Sequence, residues 1–85
     1  MIEELLKQKD ITANEKLILI DMLLFPKILP YHKTSLEISN SIGVKQKDIK
    51  IALNTLVEKG IITTEVEYRL RKTKITKEFL KTLNK

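Results

Sequence analysis

The fold of this chain is decided by residues 35–62, which read SLEISNSIGVKQKDIKIALNTLVEKGII. Apolar side chains recur in two parts of this stretch at spacings of three and four residues, the period of an amphipathic helix. Gly43 separates the two parts, and glycine readily adopts the left-handed backbone conformation that a tight turn between helices requires. We therefore predict two helices, at about residues 35–42 and 46–59, joined by a short turn.

The apolar side chains indicate which sides of these two helices face the core. The first helix is expected to point three residues inward: Leu36, Ile38 and Ile42. The second helix is expected to bury a stripe made of Ile49, Ala52, Leu53, Leu56 and Val57. Val44 would fill the core beside the turn, and Ser39 stands where a small residue is needed. Gly60 follows the second helix as a typical stop signal.

Two capping boxes mark where helices begin. Thr12 with Glu15, and Thr34 with Glu37, can each exchange side-chain and backbone hydrogen bonds across the first turn of a helix. The first box predicts a helix over residues 13–25, apolar on most sides and ended by Pro26. Residues 27–32 are then a connection, with a short strand near residues 31–33. Shorter helices are expected at about residues 2–7 and, after Thr76, up to residue 83.

Residues 61–71 are rich in β-branched side chains and alternate in character, which predicts a β-hairpin. One face carries Val66, Tyr68 and Leu70, and the other carries Glu65, Glu67, Arg69 and Arg71. Gly, Asn, Asp and Pro are absent from this segment, so no residue marks the turn. The turn is expected either near residues 65–67 or at residues 71–73.

Length and composition indicate one domain spanning residues 1–85. The 42% apolar and 32% charged residues are ordinary for a soluble globular protein, and the lack of cysteine excludes disulfides and thiolate metal sites. The apolar run from Leu17 to Phe25 is far shorter than the roughly 20 residues of a membrane span. The first residues carry acid where a secretory signal carries base. We therefore expect a cytoplasmic protein with no membrane partner.

The positive charge lies in the second half of the chain. Residues 1–44 hold five basic and six acidic residues, whereas residues 45–85 hold eleven basic and five acidic residues. Such one-sided base suggests a polyanionic partner. A lysine-rich hydrated surface without a partner is the alternative interpretation.

The two predicted helices with the hairpin behind them form the pattern of a helix-turn-helix followed by a wing. In that unit the second helix enters the major groove of DNA, with its N-terminal end inserted deepest. At 100° per residue, Lys47, Lys50, Ile51 and Asn54 lie opposite the inward-facing Ile49. The predicted contacts with bases or phosphates are Lys45, Gln46, Lys47, Lys50, Ile51 and Asn54, with Ser35 at the start of the preceding helix.

A second basic cluster falls on the predicted wing, at Arg69, Arg71, Lys72 and Lys74. In a wing these side chains would lie over the DNA backbone or an adjacent minor groove and add affinity that does not depend on sequence. Charge on an edge strand also discourages aggregation between sheets, so both roles remain open.

Residues 11–20, 34–44 and 49–62 together resemble the winged helix-turn-helix superfamily. Within it, the chain is most similar to small domains of phage and plasmid replication initiators and of MarR-like regulators. The resemblance implies a mainly α fold with a small β-hairpin: a three-helix core, a short wing and extra terminal helices. It maps residues 45–54 onto the recognition helix and residues 69–72 onto the wing. Lys45 departs from the pattern, because that position usually holds a capping Ser or Thr.

The residues argue against an enzyme, since they include one histidine, no cysteine, no glycine-rich phosphate loop and no metal-ligand spacing. No cofactor or small-molecule substrate is indicated. The leading hypothesis is a small repressor-like regulator that binds double-stranded DNA. A replication or partition protein is one alternative, and a winged helix used only for protein contact is another. We also expect a homodimer, paired through apolar residues of the terminal helices: Ile2, Leu5, Leu6, Phe79, Leu80 and Leu83.

Overall fold

A computed structural model describes residues 2–26, 31–67 and 70–83 of the chain. It contains five helices and two strands within those ranges. In chain order they are α1 (Ile2–Leu6), α2 (Ala13–Leu24), α3 (Ser35–Ile42), α4 (Gln46–Glu58), β1 (Ile62–Glu67), β2 (Leu70–Ile75) and α5 (Lys77–Leu83). The predicted fold class is confirmed: the chain is mainly helical with a small antiparallel hairpin after α4.

The predicted helix signals act as expected. Both capping boxes are formed, before α2 by Thr12 and Glu15 and before α3 by Thr34 and Glu37. Gly43 has φ 72° and ψ 25°, the left-handed conformation that turns the chain between α3 and α4. Helix α2 ends at Leu24, one residue earlier than predicted. The next residue, Phe25, precedes Pro26, and the residue before a proline is disfavoured in a helical conformation.

The core lies where α2, α3 and α4 pack together against the base of the hairpin. Its fully buried side chains are Leu5, Ile18, Leu19, Ile38, Ile49, Leu56, Ile62 and Leu83. Two inward assignments were wrong: Leu36 is 55% exposed and Val57 is 42% exposed. The angles explain both, because Leu36 lies about 200° around α3 from Ile38, and Val57 lies about 80° from Ile49 at the edge of the α4 stripe.

The hairpin is longer and more regular than predicted. Its register runs from Ile62 opposite Ile75 to Glu67 opposite Leu70. Both expected turn positions, residues 65–67 and 71–73, are therefore wrong because they lie within paired strands. The connection itself, with Tyr68, lies outside the described residues. Val66 is 74% exposed, since this end of the hairpin extends past the core.

The short strand predicted near residues 31–33 is present as an isolated bridge. Tyr31 pairs with Thr73 in an antiparallel bridge, and its carbonyl accepts a hydrogen bond of 3.0 Å from the Thr73 amide. The hairpin is thereby tied to the segment that precedes α3. In the described part of the chain, no helix has the length and apolar character that crossing a membrane requires.

Candidate nucleic-acid interface

The turn between α3 and α4 fixes the direction in which α4 projects. Beyond Gly43, the hydroxyl of Ser39 donates a hydrogen bond of 2.5 Å to the carbonyl of Val44, which ties the turn to the preceding helix. The α4 residues Ile49, Ala52, Leu53 and Leu56 are buried. Because this stripe packs against the rest of the core, the opposite face of α4 is free to meet a partner.

The side chains predicted to contact DNA on α4 all lie on its exposed face. Exposed residues there are Gln46, Lys47, Lys50, Ile51 and Asn54, with Lys45 exposed just before them. The apolar member of this set, Ile51, is 56% exposed. The face thus combines three ammonium groups and two amides around one branched apolar side chain. DNA contact by these residues stays a prediction.

Lys45 takes the N-cap position of α4 but makes no side-chain hydrogen bond to the helix. The first-turn amides of α4 therefore lack the oxygen acceptor that a Ser or Thr cap would supply. Such amides and the positive end of the helix dipole favour an anion, and a lysine at the same point adds to that preference. The departure from the usual pattern thus exchanges a stabilising cap for positive charge.

An open cleft of about 390 Å³ lies between α4 and the hairpin strand β2. It is lined by Lys33, Thr34, Ser35, Lys50, Leu53, Asn54 and Thr73. The predicted residues Ser35, Lys50 and Asn54 are therefore brought together here. Sequence reasoning missed Lys33 and Thr73. The only available signal for Lys33 was its place directly before the capping Thr34.

The wing residues are placed less completely. Lys72 lies on β2 opposite Glu65, and Lys74 is exposed opposite Thr63. Arg69 lies outside the described residues, and for Arg71 only the backbone is described, opposite Val66. Two of the four predicted wing cations can thus be located, both on the strand that borders the cleft.

Behind the cleft, two side chains converge on the carboxylate of Asp21 in α2. The Tyr31 hydroxyl donates a hydrogen bond of 2.5 Å to Asp21 Oδ2, and Lys33 Nζ donates one of 2.8 Å to the same atom. Lys33 also donates to Ser41 Oγ of α3 at 3.1 Å. Burial, with the neighbouring carboxylate, raises the pKa of Tyr31 far above its ordinary value, so its hydroxyl stays protonated.

A second ion pair anchors the far end of α4. Lys59 Nζ lies 2.9 Å from Glu15 Oε1 and donates to the carbonyl of Asp10 at 2.5 Å. Burial alone would raise the pKa of Glu15. The hydrogen bonds from Lys59 and Thr12 outweigh it, so the pKa lies below the usual carboxyl range. The C-terminal end of α4 is thereby joined to the N-terminal end of α2.

No metal centre is evident in the described ranges, where no group of three or more His, Cys, Asp or Glu side chains could hold an ion. His32 is half-buried and belongs to no such group. The exposed face of α4 offers cations and hydrogen-bond donors from Lys45, Gln46, Lys47, Lys50 and Asn54.

No protein-family model matches the chain, and no curated protein matches it. Among solved structures, the chain is similar to one described as Staphylococcus aureus MarR in complex with salicylate and kanamycin. The TM-score is 0.70 at 22% sequence identity, and the match covers 98% of this chain and 54% of the MarR chain. This chain therefore spans about half the length of that neighbour. The likeness shows that the fold is a winged helix.

Proposed function

We propose that this chain is a small transcriptional regulator, repressor-like, that binds double-stranded DNA with α4 in the major groove and the wing on the backbone. The observation that carries the proposal is the exposed face of α4, where Lys45, Lys47 and Lys50 stand beside Gln46 and Asn54. A helix that presents cations and amides from its N-terminal half has the chemistry and the width of a major-groove probe.

Each group on this face has a partner on DNA. The amides of Gln46 and Asn54 can pair with adenine through two hydrogen bonds, and Lys47 and Lys50 can donate to guanine or to phosphate. Exposed Ile51 suits contact with a thymine methyl group. Arginine is absent from α4, so the two-pronged arginine–guanine contact is unavailable there. Specificity then rests on adenine and thymine contacts or on DNA shape.

An exposed acid on α4 stands against the proposal. Glu58 lies at the end of α4 and would repel phosphate. It follows Lys50 by eight residues, about 12 Å along the helix at 1.5 Å per residue. That distance carries it past the inserted end, so the repulsion is weak.

The proposal includes a cytoplasmic homodimer that binds a palindromic site. The two halves of a palindromic operator match the two-fold symmetry of a dimeric protein. Replication or partition rather than transcription remains an alternative setting for the same DNA contact. The neighbour was solved with salicylate and kanamycin, whereas the residues of this chain indicate no small-molecule partner. That expectation stays a prediction.

A protein-contact adaptor is the second candidate, and one observation favours it. Leu36 and Ile51, on α3 and α4, are each more than half exposed. Exposed apolar side chains of this kind suit contact with another protein better than contact with phosphate. The charge distribution favours DNA, since the excess base follows Gly43.

Gel-shift binding to a pool of random duplexes at low salt distinguishes the candidates. We expect retardation of the duplex pool and at least tenfold weaker binding by the Lys47→Ala/Lys50→Ala variant, since each lost phosphate or base contact weakens binding. The matched control is Lys77→Ala/Lys81→Ala, which removes the same charge from exposed positions on α5. Absence of retardation would favour the adaptor. An equal loss of affinity in both variants would show that binding depends on the total positive charge and not on the α4 face.

A further inference from the structure

In the proposed binding mode, the wing and the recognition helix contact one duplex at the same time, which requires a defined position of one relative to the other. The hairpin touches the helical part through α4 and β1, through α2 and β2, and through the bridge between Tyr31 and Thr73. A two-stranded ribbon is marginally stable by itself, so its direction depends on these attachments. The residues that hold the bridge are therefore candidates for control of the DNA interface.

The Tyr31 backbone and side chain attach to different elements. Its carbonyl accepts from Thr73 in β2 at 3.0 Å, while its hydroxyl donates to Asp21 in α2 at 2.5 Å. Tyr31 is only 6% exposed, and its ring meets the Phe25 ring edge-on at a centroid distance of 5.2 Å. One residue thus connects the wing to the first helix of the three-helix core.

Lys33 extends this connection to the helix-turn-helix. Its ammonium group contacts Asp21 at 2.8 Å and Ser41 of α3 at 3.1 Å. It also lies 5.5 Å and 5.6 Å from the centroids of the Phe25 and Tyr31 rings, within the range of cation–π attraction. The Lys33 and Asp21 side chains are only 20% and 17% exposed, so the pair is poorly screened by water.

We propose that Tyr31 and Lys33, which both bind the Asp21 carboxylate, are positioning residues. They hold the wing at a fixed position relative to the recognition helix, so that both can contact one duplex. This inference rests on the proposed function. Lys33 lines the cleft between the two DNA-facing parts, yet Asp21 and Ser41 engage its ammonium group. Its contribution to binding is therefore made through the wing and not through its own contact with phosphate.

Tyr31→Phe tests the proposal most cleanly, because it removes the hydroxyl and keeps the ring contacts. Affinity for duplex DNA is measured by fluorescence anisotropy in three backgrounds: the natural chain, the wing variant Lys72→Ala/Lys74→Ala, and the recognition-helix variant Lys50→Ala. We expect Tyr31→Phe to weaken binding by about tenfold in the natural and Lys50→Ala backgrounds, as changes within coupled networks do. In the wing variant the loss should be clearly smaller than in the natural background, because two of the four predicted wing cations have already been removed.

Lys33→Met provides a second variant, which removes the ammonium group while keeping most of the stem. The same dependence on background is expected, whereas loss that persists in the wing variant would mean that Lys33 contacts DNA itself. Thr82→Ala is the matched control, since it deletes a hydroxyl that donates to the Glu78 carbonyl on α5. Thermal melts identify the temperature at which every variant is folded.

The outcomes separate the two proposals. Failure of the natural chain to bind duplex DNA would remove the proposed function. Binding by the natural chain with an equal Tyr31→Phe loss in all three backgrounds, or with no loss in the natural background, would overturn the positioning role alone.

Discussion

Single residues at the ends of α4 decide how firmly this helix is held. At its C-terminal end, the buried carboxylate of Glu15 receives the Lys59 ammonium group at 2.9 Å. Glu15 is 3% exposed, so its charge depends on this partner and on the Thr12 amide. A buried charge that loses its partner is costly, which makes this contact sensitive to substitution.

We expect Lys59→Met to lower the free energy of unfolding at pH 7 by about 1–2 kcal/mol, less than for a fully buried pair because the ammonium group is partly hydrated. The pKa of Glu15 is lowered in the folded chain. Its pairing therefore contributes stability above the ordinary carboxyl pKa and loses it as pH falls through the lowered value. Urea titrations between pH 7 and pH 3 should show the penalty shrinking with acid. Lys59→Arg, which keeps the charge, is the control; a penalty that is constant with pH would contradict this role.

At the N-terminal end of α4, helix stability and the proposed DNA binding favour different residues. Lys45 occupies the N-cap position without capping. Lys45→Ser should raise the free energy of unfolding by about 0.5–1 kcal/mol, the usual value of a cap. The same change should weaken DNA binding, because it deletes a cation from the inserted end of the helix.

Lys45→Met separates these two effects, since it deletes the cation without adding a cap. It should weaken DNA binding as much as Lys45→Ser does while leaving the unfolding midpoint in urea nearly unchanged. Equal or higher DNA affinity in either variant would show that Lys45 does not face the duplex.

The helices and their caps could be predicted from local signals, whereas the wing could not. Thr12, Thr34 and Gly43 act within one helical turn of their own position, so sequence spacing alone identified α2, α3 and the turn before α4. The hairpin turn lacks any residue with a special backbone preference, so its position depended on cross-strand pairing. Leu36 was assigned inward by its chemistry alone, and the helical angle overrode that assignment.

The candidate site was predictable in part for the same reason. The outward residues of α4 follow from one helix and its period. The cleft does not, because Lys33, Lys50 and Thr73 come from three segments that only the tertiary packing brings together. The contacts of Asp21 with Tyr31 and Lys33 likewise span ten and twelve residues and leave no periodic trace in the sequence.

In the whole molecule, the terminal helices α1 and α5 bury apolar side chains within one copy of the chain. Leu5 and Leu83, both predicted to pair two copies, are buried within the chain, and α1 packs against α5. Leu6 remains 53% exposed beside them. The surface left for a second copy is therefore smaller than the sequence suggested.

We still expect a dimer, and sedimentation equilibrium at tens of micromolar should detect it. Leu6→Lys should shift the population toward monomer, because a charge replaces apolar surface in the predicted contact. Val66→Lys, a matched change at another exposed apolar position, should leave the mass unchanged. A monomer across this concentration range would remove the dimer from the proposal.

In the proposed binding mode, the exposed face of α4, aided by the wing, binds the phosphate-lined groove of duplex DNA. The salt dependence of affinity tests it most directly, since each neutralised phosphate contributes roughly −0.9 to the slope of log affinity against log salt. With about five cations engaged, we predict a slope of about −4 to −5 for the natural chain. Lys47→Ala/Lys50→Ala should reduce its magnitude by about 2, and Lys77→Ala/Lys81→Ala should leave it unchanged. A slope near zero, or one that the α4 substitutions do not alter, would show that this face does not bind DNA phosphates.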